Sequence, residues 1–217
     1  MRDKKSQYCV FPLSGVVLYP GMLMPLHVFE NRYKKLLHRV LKKDKRVTVA
    51  LVRPGQPRDN EDHEMVFNVA TEGEIIHCQK LDGDTYNIVI EGLNRINLGT
   101  ERLEGSVRVF EGEEMEDTFN DSDLDKIVEL GDVVFERVQR WITEKLPETV
   151  HETILKRILE AETIGNRLDR MSSFVIHSVA NRQVILQTKD VLKRAEILEN
   201  LTRWAGVNDY YKYVSLN

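Results

Sequence analysis

The amino-acid sequence predicts an α+β protein: a β-rich part containing one helix, followed by a wholly helical part. Three observations carry this. Up to about residue 110 the apolar residues fall in short runs or alternate with polar ones, the period of strands. Beyond residue 122 they recur every three or four positions, the period of helices. The charge changes at the same place, since residues 1–110 carry 17 Lys/Arg against 14 Asp/Glu and residues 111–217 carry 14 against 21. With 217 residues the chain can build one large domain or two small ones. The expected boundaries are 1–115 for the β-rich part, 116–205 for a helical bundle and 206–217 for a tail.

The elements follow in order. "YCVFPL" is a short apolar strand in which Pro12 fits an edge or strand-end position. "LYPG" is a turn signal, and "MLMPLHVF" a second extended piece. Tyr33, Leu36, Leu37, Val40 and Leu41 then stand at i, i+3, i+4, i+7 and i+8, one face of a helix. Glu30 sits at its start and Lys42 and Lys43 at its end, each sign matching the helix dipole. "RVTVALV" reads as a buried strand and "PGQPRDNEDHE" as a polar loop. "GEIIHCQKL" and "TYNIVIEGL" flank Asp82-Gly83-Asp84, a hairpin signal, with Tyr86, Ile88 and Ile90 on one face. "GSVRVFE" closes the β-rich part.

Residues 111–125 hold eight acidic side chains among fifteen and read as a solvated connector. Leu124, Ile127, Val128, Val134, Phe135, Val138 and Ile142 then trace a long helical stripe, with Ser122 and Asp125 at capping-box spacing. Thr149 and Glu152 repeat that spacing before Ile154, Leu155, Ile158 and Leu159. Further helices are expected at about 168–180 and 190–205, the latter capped by Asp190.

Composition narrows the function classes. At 41% hydrophobic and 30% charged residues the chain reads as an ordinary soluble protein. The net charge of −4 argues against a generic nucleic-acid binder, leaving only a local basic face to consider. Two cysteines are too few for a disulfide framework and point to a reducing cytoplasm. The apolar stretch at 11–37 fails as a signal peptide, because Pro12, Pro20, Gly21 and Pro25 interrupt it. No apolar run reaches the roughly 18 residues of a membrane span, so no membrane association is expected.

Three segments, in order, resemble the N-terminal, substrate-binding domain family of Lon proteases. "FPLSGVVLYPGMLMPLHVFENRYKKLL" is similar to its opening pattern through Pro12-Leu13, Val16 to Pro20, Pro25-Leu26 and Phe29 to Tyr33. "VATEGEIIHCQKLDGDTYNIVIEGLNRINL" is similar to its strand, Asp-Gly turn and strand, ending in Gly-x-x-Arg at Gly92 and Arg95. "RLDRMSSFVIHSVANRQVILQTKDVLKRAEILENL" is similar to its helical tail, with Gln183 to Leu186 preceding Asp190, Arg194 and Leu198. The resemblance implies a PUA-like β pseudo-barrel followed by an α-helical bundle. It implies as partners unfolded or damaged polypeptides and an ATP-dependent protease. Lon proteases add ATPase and Ser-Lys protease modules. This sequence contains no Gly-x-x-x-x-Gly-Lys-Ser/Thr loop and no recognisable nucleophile context. A stand-alone, non-catalytic module without a cofactor is therefore expected.

Several residues invite chemistry. His151-Glu152 lacks the second histidine of a His-Glu-x-x-His zinc site, and His77 and Cys78 point to opposite faces of one strand, so no metal is expected. Cys9 and Cys78 read as buried thiols acting as small hydrophobes. The acidic connector lacks calcium-loop spacing. Arg32, Lys35, Arg39 and Lys42, with Lys45-Arg46 beyond, form a basic helix face, either simply solvated or a docking face for RNA or an acidic partner. A 7% aromatic content without a visible stacking platform counts against RNA. The expected substrate-binding residues are Tyr19, Met22 and Met24 for apolar contacts in "YPGMLMPLHV", with Arg32 and Lys35 steering acidic segments at the rim. Methionine surfaces adapt to many partners, and the competing account is that both methionines fill the core. Clients are expected in a groove between the two parts. The alternatives are an RNA-binding module and an adaptor that forms a homodimer or docks on a protease through the long helix bearing Phe135 and Trp141.

Overall fold

The computed structural model describes residues 6–55 and 64–203. The chain divides into two compact units, Met1–Glu116 and Asp117–Asn217. Most of the polar loop after Pro54 and the whole 206–217 tail lie outside the described residues.

The first unit runs β1 (Ser6–Leu13), β2 (Leu23–Val28), α1 (Asn31–Leu41), β3 (Arg46–Leu51), β4 (Val69–Leu81), β5 (Thr85–Glu104) and β6 (Val107–Glu114). Its strands follow the order β2-β5-β4-β3-β1-β6, and β6 returns to pair with β5. Five strands therefore close on themselves, which removes their edges. β1 and β3 are parallel, and the other pairings are antiparallel. The closure depends on the 20-residue β5, whose first part carries β2 and whose second part carries β6, with a register shift between Leu98 and Glu101. Such an irregularity bends a strand and tightens its twist. β2 lies outside the ring, and among the described residues β5 is its one neighbouring strand.

Alternation along these strands builds two apolar clusters. Phe11, Val47, Val49, Ile75, Tyr86, Ile88, Ile90, Val107 and Val109 pack with Leu36, Leu37 and Val40 of α1. Tyr8, Val10, Ala50, Ala70, Ile96, Leu98 and Phe110 form the other. The Asp82-Gly83-Asp84 turn joins β4 to β5 with Leu81 opposite Thr85, and Gly83 and Asp84 both adopt positive φ. That is the conformation for which Gly and Asp are suited.

The second unit opens with a single 3₁₀ turn (Asp121–Asp123), then α2 (Leu124–Lys145), α3 (Glu148–Leu159), α4 (Ile164–Val175), α5 (Val179–Gln187) and α6 (Val191–Arg203). Ile127, Val134, Val138, Ile142, Ile158, Leu168, Met171, Ile185 and Leu198 are among its fully buried apolar residues. Both expected capping boxes fail. α2 starts after Asp123 and α3 after Pro147, neither with a side-chain cap bond. Thr163 and Ser178 cap instead, accepting from the amides of Asn166 and Asn181. The Asp190 cap holds, its Oδ1 accepting from the Lys193 amide at 3.0 Å. Where one helix was expected at 168–180 there are parts of two, separated by the extended residues at Ile176 and Ser178.

The acidic connector is also more ordered than solvated charge would be. Glu111–Glu114 belong to β6, and Thr118 bridges to Asp190. Asp117 pairs with the fully buried Arg194, which also donates to Asp169 at 3.1 Å and to the carbonyls of Gly165 and Thr188. A buried guanidinium needs this many acceptors, because each unmet donor would cost its lost hydration.

Candidate functional site

The stretch between β1 and β2 is positioned by one glycine. The Gly92 amide donates to the Met22 carbonyl at 2.8 Å, and the Gly21 amide donates to the Gly92 carbonyl at 2.8 Å. Tyr19 lies so close that a β-carbon on Gly92 would meet its carbonyl oxygen at 2.2 Å. Gly21, at φ +74°, makes the turn, and the Met22 amide closes it on the Tyr19 carbonyl at 3.2 Å. Thr71 Oγ1 adds a bond to the Leu18 carbonyl at 2.6 Å. This segment is therefore pinned against β4 and β5, and Tyr19 is only 1% exposed.

That overturns Tyr19 as an apolar contact for a client: pinning its backbone onto Gly92 encloses its ring. Met22 and Met24 are half-buried and pack on the α1-side cluster, so their side chains belong mainly to the core. In β2, Met24, Leu26 and Val28 turn inward, while Leu23, Pro25 and His27 turn to solvent. The outward row continues across the sheet, with Pro25 opposite Val89 and Val89 opposite His77. Leu23 is 38% exposed, Phe29 61% and Ile76 50%. His27 is steadied by Asn87 at 2.8 Å, and its ring lies 6.0 Å from that of Phe29. Sequence reasoning missed Leu23, Phe29 and Ile76. The usable signal was alternation, which set Leu23 opposite to its two methionine neighbours. Ile76 is displaced outward by the register shift between Ile75 and His77, which alternation does not foresee.

Three residues of the basic face, Arg32, Arg39 and Arg46, are ion-paired. Arg32, half-exposed, donates to Glu30 at 2.9 Å and lies 4.6 Å over the Tyr33 ring. Lys34 pairs with Asp84, Arg39 with Glu104, Arg46 with Glu72 and Lys43 with Asp44. Lys35 is exposed, and with Lys42 and Lys45 it has no ion pair among the described residues. Arg32 is bound to the residue next to Phe29, whereas Lys35 lies a turn further along α1. Beside Arg32 a recess of about 120 Å³ is lined by Pro12, Tyr33, Leu36 and Val107 and also by Glu64 and Arg108.

Cys9 and Cys78 are free, and only Cys9 is part-buried. Cys78 is exposed, contrary to expectation, because β4 beyond Ile75 loses its cover on both faces. Among the described residues no group of three or more His, Cys, Asp or Glu could hold a metal ion. None of their helices is long and apolar enough to cross a membrane.

A closed β unit followed by a helical unit defines an α+β module, and comparison with known proteins identifies which. The model of the ATP-dependent protease La (LON) substrate-binding domain matches residues 7–203, and the chain belongs to this family. It is 26% identical to the Lon protease of Haemophilus influenzae over 191 residues, 87% of this chain and 23% of that protein. It is 26% identical to the Lon protease of Heliobacterium modesticaldum over 202 residues, 93% of this chain and 24% of that protein. The chain thus spans about a quarter of these relatives. The N-terminal domain of a Mycobacterium avium complex Lon protease superposes with TM-score 0.71 at 14% identity, covering 91% of this chain and 98% of that one. A Lon N-terminal domain protein from Xanthomonas campestris gives 0.59 at 22% identity, covering 92% and 98%. These structures share the fold.

Proposed function

We propose that the protein is a non-catalytic recognition module that takes up exposed apolar segments of unfolded or damaged polypeptides, for an ATP-dependent protease to degrade. The observation that carries this reading is the outward face of β2, β5 and β4, where Leu23, Pro25, Val89 and Ile76 adjoin, with Phe29 at the end of β2. Water-exposed Leu, Ile and Phe side chains are worth about 25 cal/mol per Å² when a partner covers them. A client covering about 400 Å² of apolar surface would gain roughly 10 kcal/mol gross. Ordering a disordered client and losing its free tumbling oppose most of this. Net affinity near the micromolar range follows, which suits a module that must release what it captures.

The reading also draws on the family, whose description names substrate binding. Three of the four cations of α1, Arg32, Lys34 and Arg39, are ion-paired, which favours polypeptide over RNA, since phosphate binding draws its free energy from unpaired positive charge. The experiment compares a fluorescently labelled protein in its natively folded form and in a permanently unfolded, reduced and alkylated form. The unfolded form should bind with micromolar affinity and the folded form should not. Equal affinity for both would overturn the proposal.

A further inference from the structure

We infer that β2 is an augmentation edge, at which a client segment is bound as an added β-strand through its own backbone. This rests on the reading above and specifies the conformation in which the client is held. The register decides which groups are free. Gly92 donates to the Met22 carbonyl, and the pairs continue as Met24 with Ile90 and Leu26 with Ile88. Residues of that parity turn their backbone groups toward β5, so Leu23, Pro25 and His27 turn theirs away. Pro25 agrees with this parity, because proline is tolerated in a strand where its nitrogen faces outward. No strand of the described residues pairs on that side.

The edge is also unguarded. Exposed edges are normally blunted by charge, especially lysine. β2, "LMPLHV", has no charged residue in a chain that is 30% charged. It offers the amides of Leu23 and His27 and the carbonyls of Leu23, Pro25 and His27. The same residues present their side chains to solvent, so backbone and apolar contact act together, as in other sheets that accept peptides.

Pro25 selects the occupant. In a two-fold pairing of β2 with a second copy, the missing proline donor is lost twice, once from each chain. A client strand loses it once. Pro25 therefore weighs against self-association while leaving five of the six outward groups usable.

The test uses a ten-residue peptide with Val, Ile or Leu alternating with Ser, Thr or Arg, and the same peptide N-methylated at every second amide in each of the two phases. Binding is followed by fluorescence anisotropy, and exchange of the Leu23 and His27 amides by NMR. The unmodified peptide should bind and protect both amides. Methylation in at least one phase should weaken binding about tenfold or more, since it removes several ladder bonds at once. Replacement H27P should weaken binding similarly without altering the β2–β5 ladder; should H27P not fold, the methylated peptides decide. Binding without amide protection, or unaffected by methylation in both phases, overturns strand addition and leaves apolar recognition standing. Absence of binding by every peptide, with retained binding of an unfolded protein, also overturns it. Protection of both amides in a dimer without peptide would reassign the edge to a second copy.

Discussion

The carbonyl oxygen of Tyr19 occupies the space where a side chain on Gly92 would begin, 2.2 Å from the position of its β-carbon. Both partners in this contact are backbone, and both are further held by the bonds of Gly92 to Gly21 and Met22. The glycine of the Gly-x-x-Arg segment is thus the point where the chain entering β2 is fastened to β5. Replacement of Gly92 by alanine should destabilise the protein by about 3 kcal/mol or more, the upper end for overpacking, because no flexible side chain can yield. Gly99→Ala, whose added carbon would meet only the Glu111 carbonyl at 3.4 Å, should cost far less. Urea unfolding of both variants checks the contrast.

The helical unit depends on a different fastening. Arg194 and Asp169 are both fully buried and 3.1 Å apart. Arg194→Met takes the guanidinium away from a fully buried carboxylate, for which a loss of about 3–5 kcal/mol is expected. Arg194→Lys should rescue little, since one ammonium cannot serve Asp169, Asp117 and the carbonyls of Gly165 and Thr188 together. The double variant Arg194→Met with Asp169→Leu should be more stable than Arg194→Met alone, because the fully buried carboxylate is then gone and only the partly exposed Asp117 has lost the guanidinium. Thermal unfolding of the three variants measures the coupling.

Periodicity made most of this architecture readable. The α1 stripe, the Asp-Gly hairpin and the long α2 stripe all lie where spacing puts them. Closure of the sheet was not readable, since it depends on β5 continuing through Gly92 and shifting register at Leu98, both invisible to a local pattern. The capping boxes failed for a related reason: Ser122 was drawn into the 3₁₀ turn, and Pro147 began α3 before Thr149 was reached. At the candidate face, alternation separated Leu23 from Met22 and Met24. Which of the two sets faced water depended on α1 and β1 covering the methionine side, a tertiary fact. The connector misled because composition cannot foresee a buried arginine such as Arg194 reaching for Asp117.

Glu72 gives a pH signature. Burial, the largest influence, raises its carboxyl above the ordinary glutamate range, and the Arg46 guanidinium at 3.4 Å offsets this only in part. A carboxyl that holds its proton more tightly when folded contributes stability at low pH. That contribution is lost as pH rises from the ordinary glutamate range through the raised value. Glu72→Gln, which mimics the protonated form, should therefore gain stability relative to the parent as pH rises through that window and level off above it. Melting curves of the two proteins from acidic to neutral pH test this. A difference that shrinks with rising pH would show that the Arg46 pairing dominates instead.

Adjacent residues of β2 should respond to the same substitution in opposite ways. Met24→Asp places a carboxylate against Ile88 and its neighbours in the α1-side cluster. A loss of about 2 kcal/mol or more in stability is expected, since the charge has no partner there. Leu23→Asp puts the carboxylate in water, where surface substitutions usually stay within about 0.5 kcal/mol. Its effect should fall on client binding. Covering a leucine is worth up to about 1.5–3 kcal/mol, and Leu23 is already partly covered, so roughly a tenfold weakening is expected. Unfolding curves and titrations with an unfolded client, run on both variants, separate the two losses. If Leu23→Asp bound the client as tightly as the parent, the outward β2 face would not be where clients are held.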